Sequence, residues 1–394
     1  MTHAAARAII SGIGESRLGK VPELTALGII VDAALKAIDD AGLTVQDIDG
    51  LILHPAFHVS PRYHIIVAET LGIYVKTMAD TTMMGGASYG VAIERAKQAV
   101  ESGLCKNVLI VGGEKLATGH LSGSAMMASV GAHNLDYEYP FAATIPAYYG
   151  LLAQRYLHDY DADESDLAQV AVATRKHAAL NPNATMRELI TVDDVLNSPI
   201  ISSPLHRLDC SLVSDGGAAY VISAAGTSKD PSREIEILGI GQAQSYYHMG
   251  QLAEGHGDHD LVRTVVDVAG QRAFAQAGLT PAEINMANIY DSFTITVIVQ
   301  LEDLGFCERG TAGKFIAEGN VDLGGRLPMN THGGLLSNAH PGACGGMLGF
   351  TEAVRQLRGE AGARQVTTHE NALVSSASAV ASNFSVSILG ASIQ

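Results

Sequence analysis

The chain predicts an α/β protein built from two related halves, each a sheet packed against helices. Three observations carry this expectation. A helix–turn–strand segment occurs twice, a glycine-rich turn occurs twice in the same order, and the composition suits a large buried core. Hydrophobic residues make up 47% of the 394 positions and charged ones 17%, with 42 Gly, as in a compact and mostly buried protein. This length favours two halves over one continuous core.

The first repeat is Ala37-Ile-Asp-Asp-Ala-Gly-Leu-Thr-Val-Gln-Asp-Ile48, which returns as Ala273-Phe-Ala-Gln-Ala-Gly-Leu-Thr-Pro-Ala-Glu-Ile284. Each copy ends an amphipathic helix, expected over 24–41 and 261–277, at a glycine. Each then passes through a Thr-x-x-Asp/Glu capping segment into a short apolar strand, 51–54 or 287–290. The second repeat aligns Gly86-Ala-Ser-Tyr-Gly90 with Gly342-Ala-Cys-Gly-Gly346, and the helices that follow end at Gly103 and Gly359. A strand is expected at 107–114 and a weaker one at 363–370. The halves close with strands at 212–223 and, as a long Ser/Ala/Val alternation, 372–389. Halves at 1–227 and 233–394 follow. Residues 118–207 match nothing in the second half; with Met126-Met127, Tyr137-Glu-Tyr-Pro-Phe141 and an amphipathic run over 145–160, they read as an inserted helical lid or dimer contact.

Charge and composition exclude several functions. The net charge of −16 argues against a nucleic-acid-coating surface. No apolar run reaches the roughly 18 residues of a membrane helix, and the N-terminus has no signal-peptide pattern, so a cytoplasmic protein is expected. The four cysteines lack CxxC spacing, so neither a zinc knuckle nor a disulfide framework is indicated. His54, His58 and His64 share no helical face, and Glu254-Gly-His-Gly-Asp-His-Asp260 is a Gly-broken polar loop, so no metal is expected.

The candidate site centres on His340, which precedes Pro341 and a small-residue helix start. Pro341 suits a first helical position, and the positive end of the helix should keep the imidazole neutral. Tyr290 ends a predicted strand where the halves should meet, Asp291 beside it would orient its neighbours, and His332 could line the same cleft. Tyr246-Tyr-His248 would line a substrate channel or an interface. Cys344 pairs with Ser88 in the duplicate and reads as a small core residue; Cys307 is a loop-edge thiol, and Cys105 and Cys210 look structural. Gly86-Ala-Ser-Tyr-Gly90 also satisfies G-x-S-x-G, and with a later Asp and His340 gives the order of a serine hydrolase. Such an elbow needs a strongly apolar strand before it, whereas 77–84 is mostly Thr and Met.

Five ordered motifs resemble the thiolase superfamily, and nearest to them the sterol-carrier-type thiolases and thiolase-like lipid-transfer proteins. Gly333-Gly-Leu-Leu-Ser-Asn-Ala-His-Pro-Gly-Ala343 is similar to the segment holding a catalytic histidine, and Gly86-Ala-Ser-Tyr-Gly90 takes the place of the nucleophile turn. Val-Gly-Gly-Glu114, Tyr290-Asp-Ser-Phe and Val213-Ser-Asp-Gly-Gly-Ala-Ala look like three further family segments. The resemblance implies a five-layer αβαβα fold and a homodimer paired through the strand at 104–112. It also implies a coenzyme A thioester as substrate, with no covalently bound cofactor.

The departures from the family are specific. The family's nucleophilic cysteine falls on Gly86, its second cysteine on Ala377 or a neighbouring Ser, and the Asn of Asn-Glu-Ala-Phe on Tyr290. A similar loss of cysteines occurs in thiolase-like aldolases that cleave steroid β-hydroxyacyl-CoA side chains with a small OB-fold partner. Those enzymes share the Tyr at 290 but carry another Tyr in place of His340. The resemblance therefore implies a C–C bond made or broken next to a thioester, by retro-aldol or Claisen chemistry without a cysteine. His340, Tyr290, His332 and Asp291 would form the catalytic set, and Gly86, Ala87 and Ser88 an oxyanion or substrate turn. Acyl transfer or hydrolysis through Ser88, and a non-catalytic acyl-CoA or lipid-binding scaffold, are the alternatives. Arg175, Lys176, Arg207 and Lys115 are the loose candidates for coenzyme A recognition.

Overall fold

The computed structural model describes residues 7–54, 62–119, 136, 138 and 144–391. Its first half contains β1 (Ala8–Glu15), α1 (Ala26–Asp40), β2 (Gly50–Leu53), α2 (Tyr63–Leu71), β3 (Met78–Thr81), α3 (Ser88–Glu101) and β4 (Asn107–Lys115). An insertion with α4 (Ile145–Tyr160), α5 (Glu164–Leu180), α6 (Val192–Leu196) and the hairpin β5 (Ile200–Ser202), β6 (Leu205–His206) precedes β7 (Asp215–Ala224). The second half contains β8 (Ile235–Gln244), α7 (Met249–Glu254), α8 (Val266–Ala277), β9 (Ala287–Asn288), α9 (Thr294–Asp303), α10 (Ala312–Ala317), α11 (Gly345–Leu357), β10 (Asn371–Ser378) and β11 (Asn383–Ala391).

Local chemistry explains why the first repeat folds twice in the same way. Both helices stop at a left-handed glycine, Gly42 at φ +68° and Gly278 at φ +66°. The N–H and hydroxyl of Thr44 then donate to Asp47 at 2.8 and 2.7 Å, and those of Thr280 to Glu283 at 2.9 and 2.7 Å. The strands before the helices match too. A Cβ on Gly12 or Gly14 would lie 2.3 Å from a carbonyl of α1, and one on Gly239 or Gly241 within 2.1 Å of a carbonyl of α8. Glycine at these four positions lets helix and sheet approach face to face.

The strand order is β3-β2-β4-β7-β1-β8-β11-β10-β9, so the second half repeats the first in reverse order about the β1–β8 contact. That contact is short, with Ile9 opposite Glu236 and Ile10 opposite Ile235. Helices α1 and α2 cover the outer face of the first half, and α8 and α9 that of the second. Helices α3 and α11 lie between, in a core fed by strands of both halves. This is the expected five-layer αβαβα arrangement, with the two half-sheets joined at one edge.

Several expectations needed correction. Residues 363–370 form no strand: a short helical turn occupies Gly362–Arg364, and Gln356 takes up the Arg364 carbonyl and the Val366 N–H. The run 372–389 divides into β10 and β11, because Ala379, Val380 and Ala381 adopt φ of 51°, 51° and 59° and reverse the chain. The strand expected to pair with a twin copy, β4, is flanked by β2 and β7 and has no free edge; β3 ends the sheet instead. Helices α1 and α8 start later than expected. At α8, the Asp260 carboxylate holds the N–H groups of Val262 and Arg263 in a turn. Residues 120–135, with Met126-Met127, and 137 and 139–141 lie outside the described residues, as does His58.

Candidate active site

Residues from both halves meet where the two repeat-related turns touch. A Cβ on Gly346 would lie 2.3 Å from the Gly86 carbonyl, and Tyr89 Oη sits 3.0 Å from Cys344 Sγ. Tyr290 follows β9, and its backbone is held on every side. Asn330 pins Ile289 with bonds of 2.8 and 2.9 Å, and Gln300 and Thr296 donate to the Tyr290 carbonyl. The ring is thereby aimed at His340, with Oη 3.4 Å from Nε2 and the two rings edge to face.

Gly86 completes this group. A Cβ there would fall 2.7 and 2.8 Å from Tyr290 Cε2 and Cζ and 2.5 Å from the Ala377 carbonyl oxygen. The tyrosine ring therefore occupies space that a side chain on the turn would need. Ala87 is fully buried beside it. Ser88 is fully buried at the start of α3, where its Oγ accepts the Met84 N–H at 2.8 Å, while His340 faces Tyr290 and Ser211 instead.

Burial lowers the His340 pKa to about 4, opposed by hydrogen bonding to the backbone at Leu212 and Gly342. The imidazole is neutral near pH 7, as expected, but burial is the main cause. Pro341 is not the first helical residue: it precedes a short helical turn at Gly342–Cys344, and α11 begins at Gly345. Burial also pushes the Tyr290 phenol well above its ordinary range, so it remains protonated.

Asp291 supports the backbone ahead of His340. Its buried carboxylate accepts the Leu335 and Leu336 N–H groups at 2.7 and 3.3 Å, fixing the π-helical turn Gly334–Asn338. Burial raises its pKa to about 7 against the pull of those bonds. His332 is buried beside Tyr290. It shares a cavity of about 20 Å³ with Asn288, Tyr290 and Asp291, and burial depresses its pKa to about 4. The insertion braces the same segment from outside: Arg175 donates to Ser337 Oγ at 2.8 Å and Asn181 to the His332 carbonyl at 2.8 Å.

None of the four thiols is poised for attack. Burial raises Cys105, pushes Cys210 and Cys307 up to about 12, and carries Cys344 well above its usual value. Three of the candidate coenzyme A cations are engaged: Arg175 as above, Lys115 with the Pro22 and Leu24 carbonyls, and Lys176 with Asp322. Tyr246 lines a cavity of about 290 Å³ with Gln244, His256 and Arg263. Sequence reasoning missed Ser211, whose Oγ lies 2.8 Å from His340 Nδ1. An isolated serine in a loop carries no periodic or motif signal.

Family models match both halves: a thiolase N-terminal domain over residues 5–226 and a thiolase C-terminal domain-like region over 245–391. A steroid side-chain-cleaving aldolase of Thermomonospora curvata is 38% identical over 89% of this chain and 90% of its own length. A 17-hydroxy-3-oxo-4-pregnene-20-carboxyl-CoA lyase of Mycobacterium tuberculosis is 35% identical over 90% of this chain and 92% of its own. The solved Ltp2–ChsH2(DUF35) aldolase superposes with a TM-score of 0.86 at 35% identity, covering 99% of each chain. The two matched halves and the identity to these relatives show that the chain belongs to the thiolase family.

Proposed function

We propose that this protein is an acyl-CoA lyase that cleaves the Cα–Cβ bond of a β-hydroxyacyl-CoA by retro-aldol chemistry, with no cysteine nucleophile. The observation that carries the reading is the Tyr290–His340 contact at 3.4 Å beside a turn whose side-chain space the tyrosine ring has taken. A turn without a side chain cannot hold an acyl group, whereas a neutral imidazole next to a protonated phenol can relay a proton.

In this reaction the substrate β-hydroxyl gives its proton to Tyr290 Oη as the phenol proton passes to His340 Nε2. The β-oxygen becomes a carbonyl, the Cα–Cβ bond breaks, and its electron pair moves into the thioester as an enolate. Backbone N–H groups of the Gly86–Ala87 turn stabilise the enolate oxygen, and the relay returns the proton to Cα. Asp291 keeps the backbone before His340 in place, and His332 lines the small cavity beside Tyr290. The names of the relatives, a side-chain-cleaving aldolase and a CoA lyase, support the same class of substrate.

We also read the protein as a cytoplasmic homodimer working with a small OB-fold partner. Among the described residues no helix is long and apolar enough to cross a membrane. The edge strand β3 lies beside exposed Ile65, Tyr74 and Met83, and light scattering at micromolar concentration tests the dimer. The aligned aldolase, whose name joins Ltp2 to ChsH2, supports a partner.

The decisive assay incubates the protein, alone and with such a partner, with 17-hydroxy-3-oxo-4-pregnene-20-carboxyl-CoA and other β-hydroxyacyl-CoA thioesters. Release of a ketone or aldehyde together with a shortened acyl-CoA is expected. Tyr290→Phe and His340→Ala should each lower turnover by about 10²–10⁴-fold while leaving thioester binding largely intact. Tight binding with no cleavage under any of these conditions would leave only a scaffold.

A further inference from the structure

We propose that Ser211 is a positioning residue that fixes the tautomer of His340, and that the loop carrying it ties the insertion to the second half of the site. Ser211 lies between the helical turn Arg207–Asp209, at the exit of the insertion, and strand β7. The loop crosses both segments that supply the candidate site. Cys210 bridges to Phe293, the Ser211 N–H donates to the Ser292 carbonyl at 2.9 Å, and the Leu212 N–H donates to the Leu335 carbonyl at 3.1 Å. The Ser214 N–H then reaches the His340 carbonyl at 3.3 Å. Four successive contacts thus strap the Tyr290 segment to the His340 segment.

The side chain of Ser211 adds chemistry to this strap. A neutral imidazole has one N–H and one lone pair, and the partner of each nitrogen decides which carries the proton. His340 Nδ1 faces Ser211 Oγ at 2.8 Å, and Nε2 faces Tyr290 Oη at 3.4 Å. With the hydrogen on Nδ1 donated to Ser211, the Nε2 lone pair is directed at the phenol. With the hydrogen on Nε2, it would point at a phenol that must itself donate, and the relay would stop. The Tyr290 phenol, which must donate toward Nε2, sets which form is productive. Ser211 Oγ, accepting from Nδ1–H, holds that form together with the backbone groups at Leu212 and Gly342 that also bond the ring.

The role in turnover rests on the lyase reading above, whereas the tautomer does not. The test is ¹⁵N NMR of His340 in the histidine-labelled full chain, for wild type, Ser211→Ala and Ser211→Thr, with kcat and KM for 17-hydroxy-3-oxo-4-pregnene-20-carboxyl-CoA in parallel. Wild type is expected to show Nδ1 protonated. Ser211→Ala should show a mixture and lose on the order of ten-fold in kcat at unchanged KM, and Ser211→Thr should restore both. An unchanged His340 spectrum in a folded Ser211→Ala protein overturns the proposal, as does a changed spectrum with full kcat. If wild type cleaves no thioester, the lyase reading falls while the spectra still decide the role of Ser211.

Discussion

Adding one methyl group at the turn should disable the site. In Gly86→Ala the new Cβ would sit 2.7–2.8 Å from two ring carbons of Tyr290 and 2.5 Å from the Ala377 oxygen. Ordinary carbon–carbon contact needs about 3.5–4.0 Å, so the ring must retreat by roughly an ångström. The Ala377 carbonyl belongs to β10, paired along its length with β11, and cannot retreat as far. Overpacking of this kind costs about 1–3 kcal/mol, and a displacement of roughly 1 Å at a reacting group costs about 10²-fold in rate. The Tyr290–His340 contact, already 3.4 Å, would open beyond hydrogen-bond range. Thermal denaturation with steady-state cleavage of a β-hydroxyacyl-CoA reads both effects. A Gly86→Ala protein with wild-type kcat would show that the ring does not depend on the bare turn, and the reasoning would be wrong.

Three further outcomes are expected. Replacing Cys105, Cys210, Cys307 and Cys344 together by Ala or Ser should leave kcat nearly unchanged, since burial disfavours every thiolate; a dead variant, or an acyl group trapped on Cys344, would refute this. His332 and His340 are both depressed to about 4 from 6.5, so the stability each lends is present above pH 6.5 and is lost as pH falls through about 4. Denaturant midpoints should therefore drop between those values, and the acid limb of the rate profile should bend near 4 rather than 6.5. Asp291→Asn would turn an amide N–H toward the Leu335 or Leu336 N–H, leaving one donor unmet at a cost of about 1–3 kcal/mol, and would lower kcat more than it raises KM.

What the sequence made legible follows the range of the interactions that write it. The doubled helix stop at Gly42 and Gly278 and the Thr44–Asp47 and Thr280–Glu283 turns are local devices, each complete within a few residues, so the repeat could be read directly. His340 and Tyr290 were visible through their motifs, but nothing in the chain says that they touch. The false strand at 363–370 failed because its backbone is satisfied by Gln356 from a neighbouring helix, a tertiary choice. The mistaken dimer strand failed for a related reason: whether β4 has a free edge depends on β7, more than a hundred residues later. Ser211 had no signal at all, because its role is set by a crossing between distant segments.

Those crossings also change how the missing cysteine should be understood. A nucleophile lost by drift would leave a hole at the turn, with a cavity where the side chain had been. Here the space is taken by the Tyr290 ring, and the ring's backbone is fixed by Asn330, Gln300 and Thr296. Such a group is costly to hold by accident, because each buried polar contact must be met. Gly86 and Tyr290 are therefore one feature written at two places in the chain. A bare turn admits the phenol, and the phenol makes a side chain on the turn untenable. On the lyase reading proposed above, a proton relay and a covalent nucleophile would compete for the same few ångströms, and the placement of this ring favours the relay.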